Sequence, residues 1–174
     1  MSTDRGHVLR AWQPDDARQV LDAFRHPDMA TQVSETLETL DHAAHWIDDK
    51  VERWAEGSAY SWAVTNDDSI LGCVMVSSID RRHDVGWISY WTAPTHRGQG
   101  AASSGLRRVA SWAFDELNLH RLELGHRVNN PASCQVALAA GFAVEGLERD
   151  KLRYGDERFH VELHARLATD PSPR

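Results

Sequence analysis

Apolar and polar positions along this chain repeat in blocks whose period changes several times, and each change marks a new element. Residues 7–13 alternate loosely and predict a first strand. Pro14-Asp15-Asp16 then supplies helix-start chemistry for a helix to about residue 24. Residues 25–39 are polar, contain Pro27 and have no clear period, which predicts a loop or a broken helix. An amphipathic helix follows, capped by Asp41 and running to about Glu56, with Ala44, Ile47, Val51 and Trp54 on one stripe. Gly57 ends it.

The middle of the chain changes to strand patterning. Residues 60–65, 70–79 and 85–92 read as strands separated by turn chemistry at 66–69 and 81–84, so they predict an antiparallel meander. Leu106, Val109, Ala110, Ala113 and Phe114 return at helical spacing and predict a helix over 103–117. Residues 119–126 alternate as a strand, and 131–140 form a short helix stopped by Gly141. Strands at 142–152 and 159–167 are joined by a turn at 154–157. The order is strand, helix, helix, meander, helix, strand, helix and two strands. It implies an α+β fold in which helices cover one largely antiparallel sheet. Residues 1–167 form the expected single domain, and 168–174 a tail.

Composition narrows the class. At 174 residues, 41% apolar and 26% charged, the chain matches one ordinary globular domain. A formal charge of −7 argues against nucleic acid as the main partner and suits a cationic substrate such as an amine. Cys73 and Cys134 are the only cysteines, and Cys73 lies in an apolar strand, so no disulfide framework is expected and a reducing compartment is. The opening M-S-T-D-R-G-H lacks a signal-peptide core, and no apolar run approaches a membrane span. The expectation is a cytoplasmic protein with no membrane partner.

The chemistry concentrates between the meander and the next helix, where residues 95–104 read T-H-R-G-Q-G-A-A-S-S. Two glycines free the backbone for an unusual turn, and the N–H groups from Gly98 to Ala102 can converge at the positive end of a helix. That is an anion cradle, most readily for a pyrophosphate. No Lys-Ser/Thr pair follows, which disfavours a nucleotide-hydrolysing loop, and Ser103 stands where a dinucleotide fingerprint needs its third glycine. What remains, Arg97-x-x-Gly100-x-Ala102, resembles the coenzyme A signature of the GNAT acyltransferase superfamily.

A second stretch completes the resemblance. Residues 127–142 read R-V-N-N-P-A-S-C-Q-V-A-L-A-A-G-F. The Asn130-x-x-Ser133 pair, the apolar helix and the closing Gly-Phe are similar to the RimL/RimJ-like branch of that superfamily, the acetyltransferases of ribosomal-protein N-termini. Tyr90-Trp91 and the closing V-E-L-H-A-R-L are similar to that branch too, and the likeness covers roughly residues 60–167. It implies the GNAT fold, acetyl-CoA as co-substrate, no metal, and acetyl transfer to a primary amine by direct attack in a ternary complex. Family habit adds a homodimer. The acceptor implied is a protein or peptide α-amine. The alternatives are a small-molecule amine, or a non-catalytic acyl-CoA sensor.

The resemblance also assigns residues. Coenzyme A would enter a gap where the strand around residues 90–92 splays from the strand at 119–125. Backbone near Trp91 and Thr92 would pair with pantetheine and hold the thioester oxygen. Arg97, Gly98, Gln99, Gly100, Ala101 and Ala102 would take the pyrophosphate. Asn130 would contact pantetheine, although Asn-Pro is equally a helix entrance. Ser133 would donate a proton to the departing sulfur, or else act as a capping hydroxyl. Arg107 and Arg108 are either solvated or set to meet the 3′-phosphate.

One position departs from the pattern. Many family members carry a glutamate three residues before the Tyr-Trp pair to help deprotonate the amine, and here that residue is Trp87. Trp87 is instead expected to line the acceptor pocket. Asp84 and Asp150 are rival bases. An α-amine, with a pKa of about 8, needs less help than a lysine amine at about 10.4. His160, Glu162 and His164 share one strand face, which reads as a half-exposed edge face rather than a metal site. No Cys-His-acid order supports Cys134 as a covalent nucleophile.

Overall fold

The computed structural model describes residues 1–3, 6–29, 37–67 and 69–173. The strand patterns all join one sheet. Its strands are β1 (Val8–Arg10), β2 (Tyr60–Asn66), β3 (Ser69–Asp80), β4 (Val85–Thr92), β5 (Arg121–Arg127), β6 (Ala143–Tyr154) and β7 (Glu157–Leu167). The spatial order is β1-β2-β3-β4-β5-β7-β6. Neighbours run antiparallel except β4 and β5, which are parallel. The mixed, mostly antiparallel sheet agrees with the expected class. β1 is shorter than the alternation of 7–13 predicts. The chain leaves the sheet at Arg10, whose guanidinium grips Asp16 through two hydrogen bonds of 2.6 and 2.7 Å. Beyond it, the Trp12 indole turns inward and donates to Ser61 Oγ at 2.9 Å.

Four α-helices cover the sheet among the described residues: α1 (Ala17–Phe24), α2 (Leu40–Glu56), α3 (Ala101–Asp115) and α4 (Pro131–Ala139). α2 corrects two expectations. Its N-cap is Thr39, whose hydroxyl accepts from the His42 N–H at 3.1 Å, so Asp41 lies inside the first turn. The buried stripe is Ala43, Trp46 and Ile47, while Val51 is 49% exposed. The helix is rotated because the Trp46 ring docks edge-on against Trp12, with centroids 5.0 Å apart. Of the predicted loop at 25–39, a 3-10 turn occupies Pro27–Met29, and positions 30–36 lie outside the described residues.

Two cores result, one on each face. Leu106, Val109, Ala110 and Ala113 of α3 pack with Val74, Val76, Ile88, Leu122 and Leu124 on one face, and α4 adds Ala137. On the other face α1 and α2 pack around Trp12, Trp46 and Trp91. β7 lies between β5 and β6 rather than at the sheet edge, and along it His160 is exposed, Glu162 half-buried and His164 buried, so the expected edge position does not hold.

The parallel ladder between β4 and β5 is short. It pairs Val85 with Arg121, Gly86 with Leu122 and Trp87 with Glu123, and then the strands part. β4 stays paired with β3 as far as Thr92, and β5 with β7 as far as Arg127. Each strand of the opening is therefore held from its outer side only.

β4 is seated against β3 with no slack at Gly72, where an added Cβ would lie 2.2 Å from the Trp91 carbonyl oxygen. Gly72→Ala should therefore lower stability by about 1–3 kcal/mol, in the range of other overpacked sites. Denaturant unfolding measures this, and a midpoint equal to the parent's would contradict the close approach.

Candidate active site

The gap between β4 and β5 opens into a cleft of about 180 Å³ lined by both strands, by Asn130 and Ser133 of the α4 entrance, and by Leu152 and Tyr154 of β6. Side chains alternate across a strand, so Trp87 and Tyr90 leave β4 on opposite faces. Tyr90 points to the α3–α4 face and belongs to the rim of that core. Trp87 lies on the other face, where its ring would meet a Cβ on Gly125 at 3.2 Å. The tryptophan expected at the acceptor side is thus a wall of the cleft.

At one end of the cleft the chain leaves β4, makes a 3-10 turn at Pro94–His96, and enters α3. Gly98 and Gly100 have φ of 76° and 79°, left-handed values that explain why glycine occupies both positions. α3 starts at Ala101, two residues earlier than its apolar spacing predicts, because Gly100 itself is the N-cap. The Ser104 N–H donates to Gly100 O at 3.0 Å. The N–H groups of Ala101, Ala102 and Ser103 precede that bond and stand at the positive end of a 15-residue helix. Gly98 and Gln99 are exposed on the loop. Arg97 turns away from it, and its Nη1 donates to Asp28 Oδ2 at 2.8 Å. That hydrogen bond holds the Asp28 carboxyl below its usual range.

At the other end, α4 projects its first turn into the cleft. Asn130 is its N-cap, with Oδ1 accepting from the Ser133 N–H at 3.2 Å, so the helix-entrance reading of Asn130 holds in this structure. Ser133 Oγ is 2.7 Å from the Tyr90 hydroxyl, which also donates to the Ser133 carbonyl at 3.0 Å. Desolvation pushes the Tyr90 phenol up to about 12, against the pull of the Ser133 hydrogen bond. Tyr90 is the residue that sequence reasoning missed. Alternation sets it on the face opposite Trp91, but only the docking of α4 brings Ser133 to its hydroxyl. Trp91 is buried in the α1–α2 core and does not line the cleft. Thr92 closes the β4 ladder opposite Gly72.

The other candidates fall elsewhere. Arg107 Nη1 donates to Ala139 O at the end of α4, at 3.0 Å. Asp84 sits in the turn before β4, where its carbonyl accepts from the N–H groups of His120 and Arg121. Asp150 is exposed and pairs with His160 at 3.1 Å. Neither rival base lines the cleft. Glu162 and His164 do not stay with His160; they meet His126 of β5 and Cys134 of α4. Desolvation and a hydrogen bond to Glu162 raise the Cys134 thiol, which therefore stays protonated and is a poor nucleophile. Desolvation would raise Glu162, but hydrogen bonds from Cys134 and His164 outweigh it and hold that carboxyl low.

Comparison with known proteins agrees with this geometry. A family model described as acetyltransferase (GNAT) domain matches residues 7–143. The ribosomal-protein-serine acetyltransferase of Escherichia coli K12 is 31% identical over 111 residues, which are 64% of this chain and 62% of that protein. This chain thus spans somewhat under two thirds of the length of the first curated relatives it matches. An uncharacterized N-acetyltransferase of Bacillus subtilis, YoaA, is 26% identical over 168 residues, 95% of this chain and 94% of its own. Mycobacterium smegmatis RimJ, solved in complex with CoA-disulfide, superposes with a TM-score of 0.86 at 20% identity, over 98% of this chain and 88% of that one. At that identity the likeness is one of fold.

The two thiols differ sharply in access. Burial pushes Cys73 up to about 12, whereas Cys134 is half-buried. A thiol reagent at pH 8 should modify no more than one cysteine per chain in the native protein and both in denaturant. Fast native labelling of Cys73, read by peptide mass, would contradict its burial.

Proposed function

This chain belongs to the GNAT acetyltransferase family, and we propose that it transfers an acetyl group from acetyl-CoA to a primary amine, by direct attack in a ternary complex. The observation that carries this reading is the parted β4–β5 pair, with a glycine-started helix at one end and the Tyr90–Ser133 pair at the other. The distribution of chemistry follows from it. Main-chain N–H groups at Gly98, Gly100, Ala101 and Ala102 hold the pyrophosphate, and Gln99 borders it. Arg97 joins them by exchanging Asp28 for phosphate. The free edge of β4 near Trp91 and Thr92 pairs with pantetheine amides, and an N–H there stabilises the oxygen of the tetrahedral intermediate. Asn130 lies beside the pantetheine arm while capping α4.

The two faces of β4 divide the reaction. The amine enters on the Trp87 side and its nitrogen lone pair attacks the thioester carbon. The C–S bond then breaks, the Tyr90–Ser133 pair on the opposite face protonates the leaving thiolate, and the former amine nitrogen releases its proton to solvent, from which the pair is reprotonated. Ser133 and Tyr90 share one hydrogen bond, so they act as a unit with Ser133 nearest the α4 entrance.

Among the described residues no carboxylate lines the cleft. His126 lines it, but its Nδ1 faces the Arg127 carbonyl and its Nε2 faces His164, which leaves neither nitrogen available to an amine. With no dedicated base among the described residues, the site favours an amine that is already partly neutral, so we assign an α-amine of a peptide or protein N-terminus as acceptor. A small cationic amine is the second reading, and the net charge of −7 favours it.

Isothermal titration should detect acetyl-CoA binding by the folded chain, and thiol release should require an amine. Absence of binding would overturn the reading. Release with polyamines but not with peptides would move the acceptor to the second class. Ser133→Ala and Tyr90→Phe should each lower kcat by about 10²-fold or more with little change in acetyl-CoA affinity. The double variant should lose much less than the product of the two. An unchanged kcat removes the residue from its role.

The pH profile provides a further test. A free α-amine loses its proton near about pH 8, so kcat/KM for a peptide should rise with pH and level off there. Tyr90, raised to about 12, keeps its proton throughout that range and adds no descending limb. A fall in kcat between pH 8 and 10 on loss of the phenol proton would contradict this assignment.

A further inference from the structure

Beside the cleft, on the sheet face covered by α4, four ligand-type side chains converge. The β5–β7 register sets His126 directly opposite Glu162 and Leu124 opposite His164, so the three polar groups are neighbours on one face. Cys134, in the first turn of α4, closes the group from above. One ligand atom from each residue lies within 4.8 Å of the other three. His126 Nε2 is 2.9 Å from His164 Nε2, and Glu162 Oε1 is 3.0 Å from His164 and 3.3 Å from His126. Both imidazoles are buried, whereas Cys134 and Glu162 are half-buried and open a path to solvent.

Proton bookkeeping explains why this arrangement is more than a hydrogen-bonded core. His126 Nδ1 lies 3.0 Å from the Arg127 carbonyl, which only accepts. The Nδ1 carries the proton, and in the neutral ring Nε2 keeps its lone pair aimed at the cluster. A backbone carbonyl on the far nitrogen is the usual support of a metal-binding histidine. His164 Nε2 faces two acceptors, and its Nδ1 is buried without a hydrogen-bond partner among the described residues. The Glu162 carboxylate thus faces both imidazoles and the Cys134 thiol, three ligand-type groups around one acceptor. A divalent cation serves all four groups at once, and with one thiolate and one carboxylate the site is neutral.

We propose that His126, Cys134, Glu162 and His164 form a tetrahedral zinc-type site that fastens the first turn of α4 to strands β5 and β7. Ligand distances of about 2.0–2.3 Å would set neighbouring donor atoms roughly 3.3–3.6 Å apart, so the two imidazole nitrogens open by only a few tenths of an ångström. The ion forms one bond to each donor: the Cys134 thiol releases its proton to solvent as the sulfur binds, and the His164 proton moves from Nε2 to Nδ1, which leaves the Nε2 lone pair to the ion. All four positions are taken by protein, which makes the site structural rather than catalytic. Its consequence is positional, because Cys134 adjoins Ser133 and the ion fixes the turn that presents the Ser133 hydroxyl to Tyr90.

The test uses the full chain stripped with a chelator, needs no acetyl-CoA, and so stands apart from the acyl-transfer reading. Cobalt(II) titration should saturate at one ion per chain, with visible bands of tetrahedral cobalt and a near-ultraviolet thiolate-to-cobalt charge-transfer band. Cys134→Ser should abolish the charge-transfer band. Glu162→Gln and His126→Ala should weaken cobalt binding at least about tenfold. Zinc should raise the melting temperature of the parent and leave that of Cys134→Ser unchanged, with circular dichroism confirming that both are folded. Failure to saturate at one ion, a charge-transfer band that survives in Cys134→Ser, or equal zinc stabilisation of both proteins would overturn the site and leave only a hydrogen-bonded cluster.

Discussion

The organisation of this molecule depends on a parallel strand pair that stops pairing after three residues. Past Trp87 and Glu123, two ladder edges face each other across a gap in the middle of a sheet. Unpaired backbone donors and acceptors are costly when shielded from water, so such a gap persists only if both strands are held from outside and the gap can admit a polar guest. Both conditions are met here. β3 holds β4, with a contact at Gly72 that tolerates no Cβ, and β7 holds β5 along its whole length. An extended ligand carrying its own amides is the complement of such a gap, much as an added strand complements a sheet edge.

The opening also fixes where the remaining chemistry sits. β4 leads through a single turn into the N-terminus of α3, so the phosphate-type cradle lies at the exit of the strand that lines the gap. α4 caps itself with Asn130 and presents Ser133 to Tyr90 from the α3–α4 face. Trp87 closes the opposite face. In the proposed reaction this arrangement separates the side where the amine arrives from the side where the thiolate leaves, so bound groups do not have to cross the sheet. Arg97 links the loop to Asp28 in the 3-10 turn between α1 and α2, which ties the loop to that helical layer.

The cluster behind α4 belongs to the same logic of positioning. A short helix whose first turn projects into a cleft has few intrahelical bonds at that end, and its placement rests on what it packs against. Here the packing includes three polar groups from two adjacent strands. A cation there would make the geometry of the Ser133 turn a coordination property as well as a packing one.

Much of this was legible in the chain itself. Element order, the meander, the glycine turn and the Asn130–Ser133 motif are local features, written in periodicity and in residues with special backbone needs. They sufficed for the fold class and for the place of the glycine-started helix. What sequence could not decide were relations between elements. The stripe of α2 slipped from Val51 to Ala43 and Trp46 because an aromatic cluster assembled from α1, α2 and β4 set its rotation. Tyr90 joined Ser133, and His126 joined Glu162 and Cys134, across separations that only strand register and helix docking bring together. Helical and strand periods record which face of an element is buried; they carry no information about the partner buried against it. The chain alone marked the glycine turn before α3 as the candidate anion cradle, and the tertiary structure decided which side chains stand around the cleft beside it.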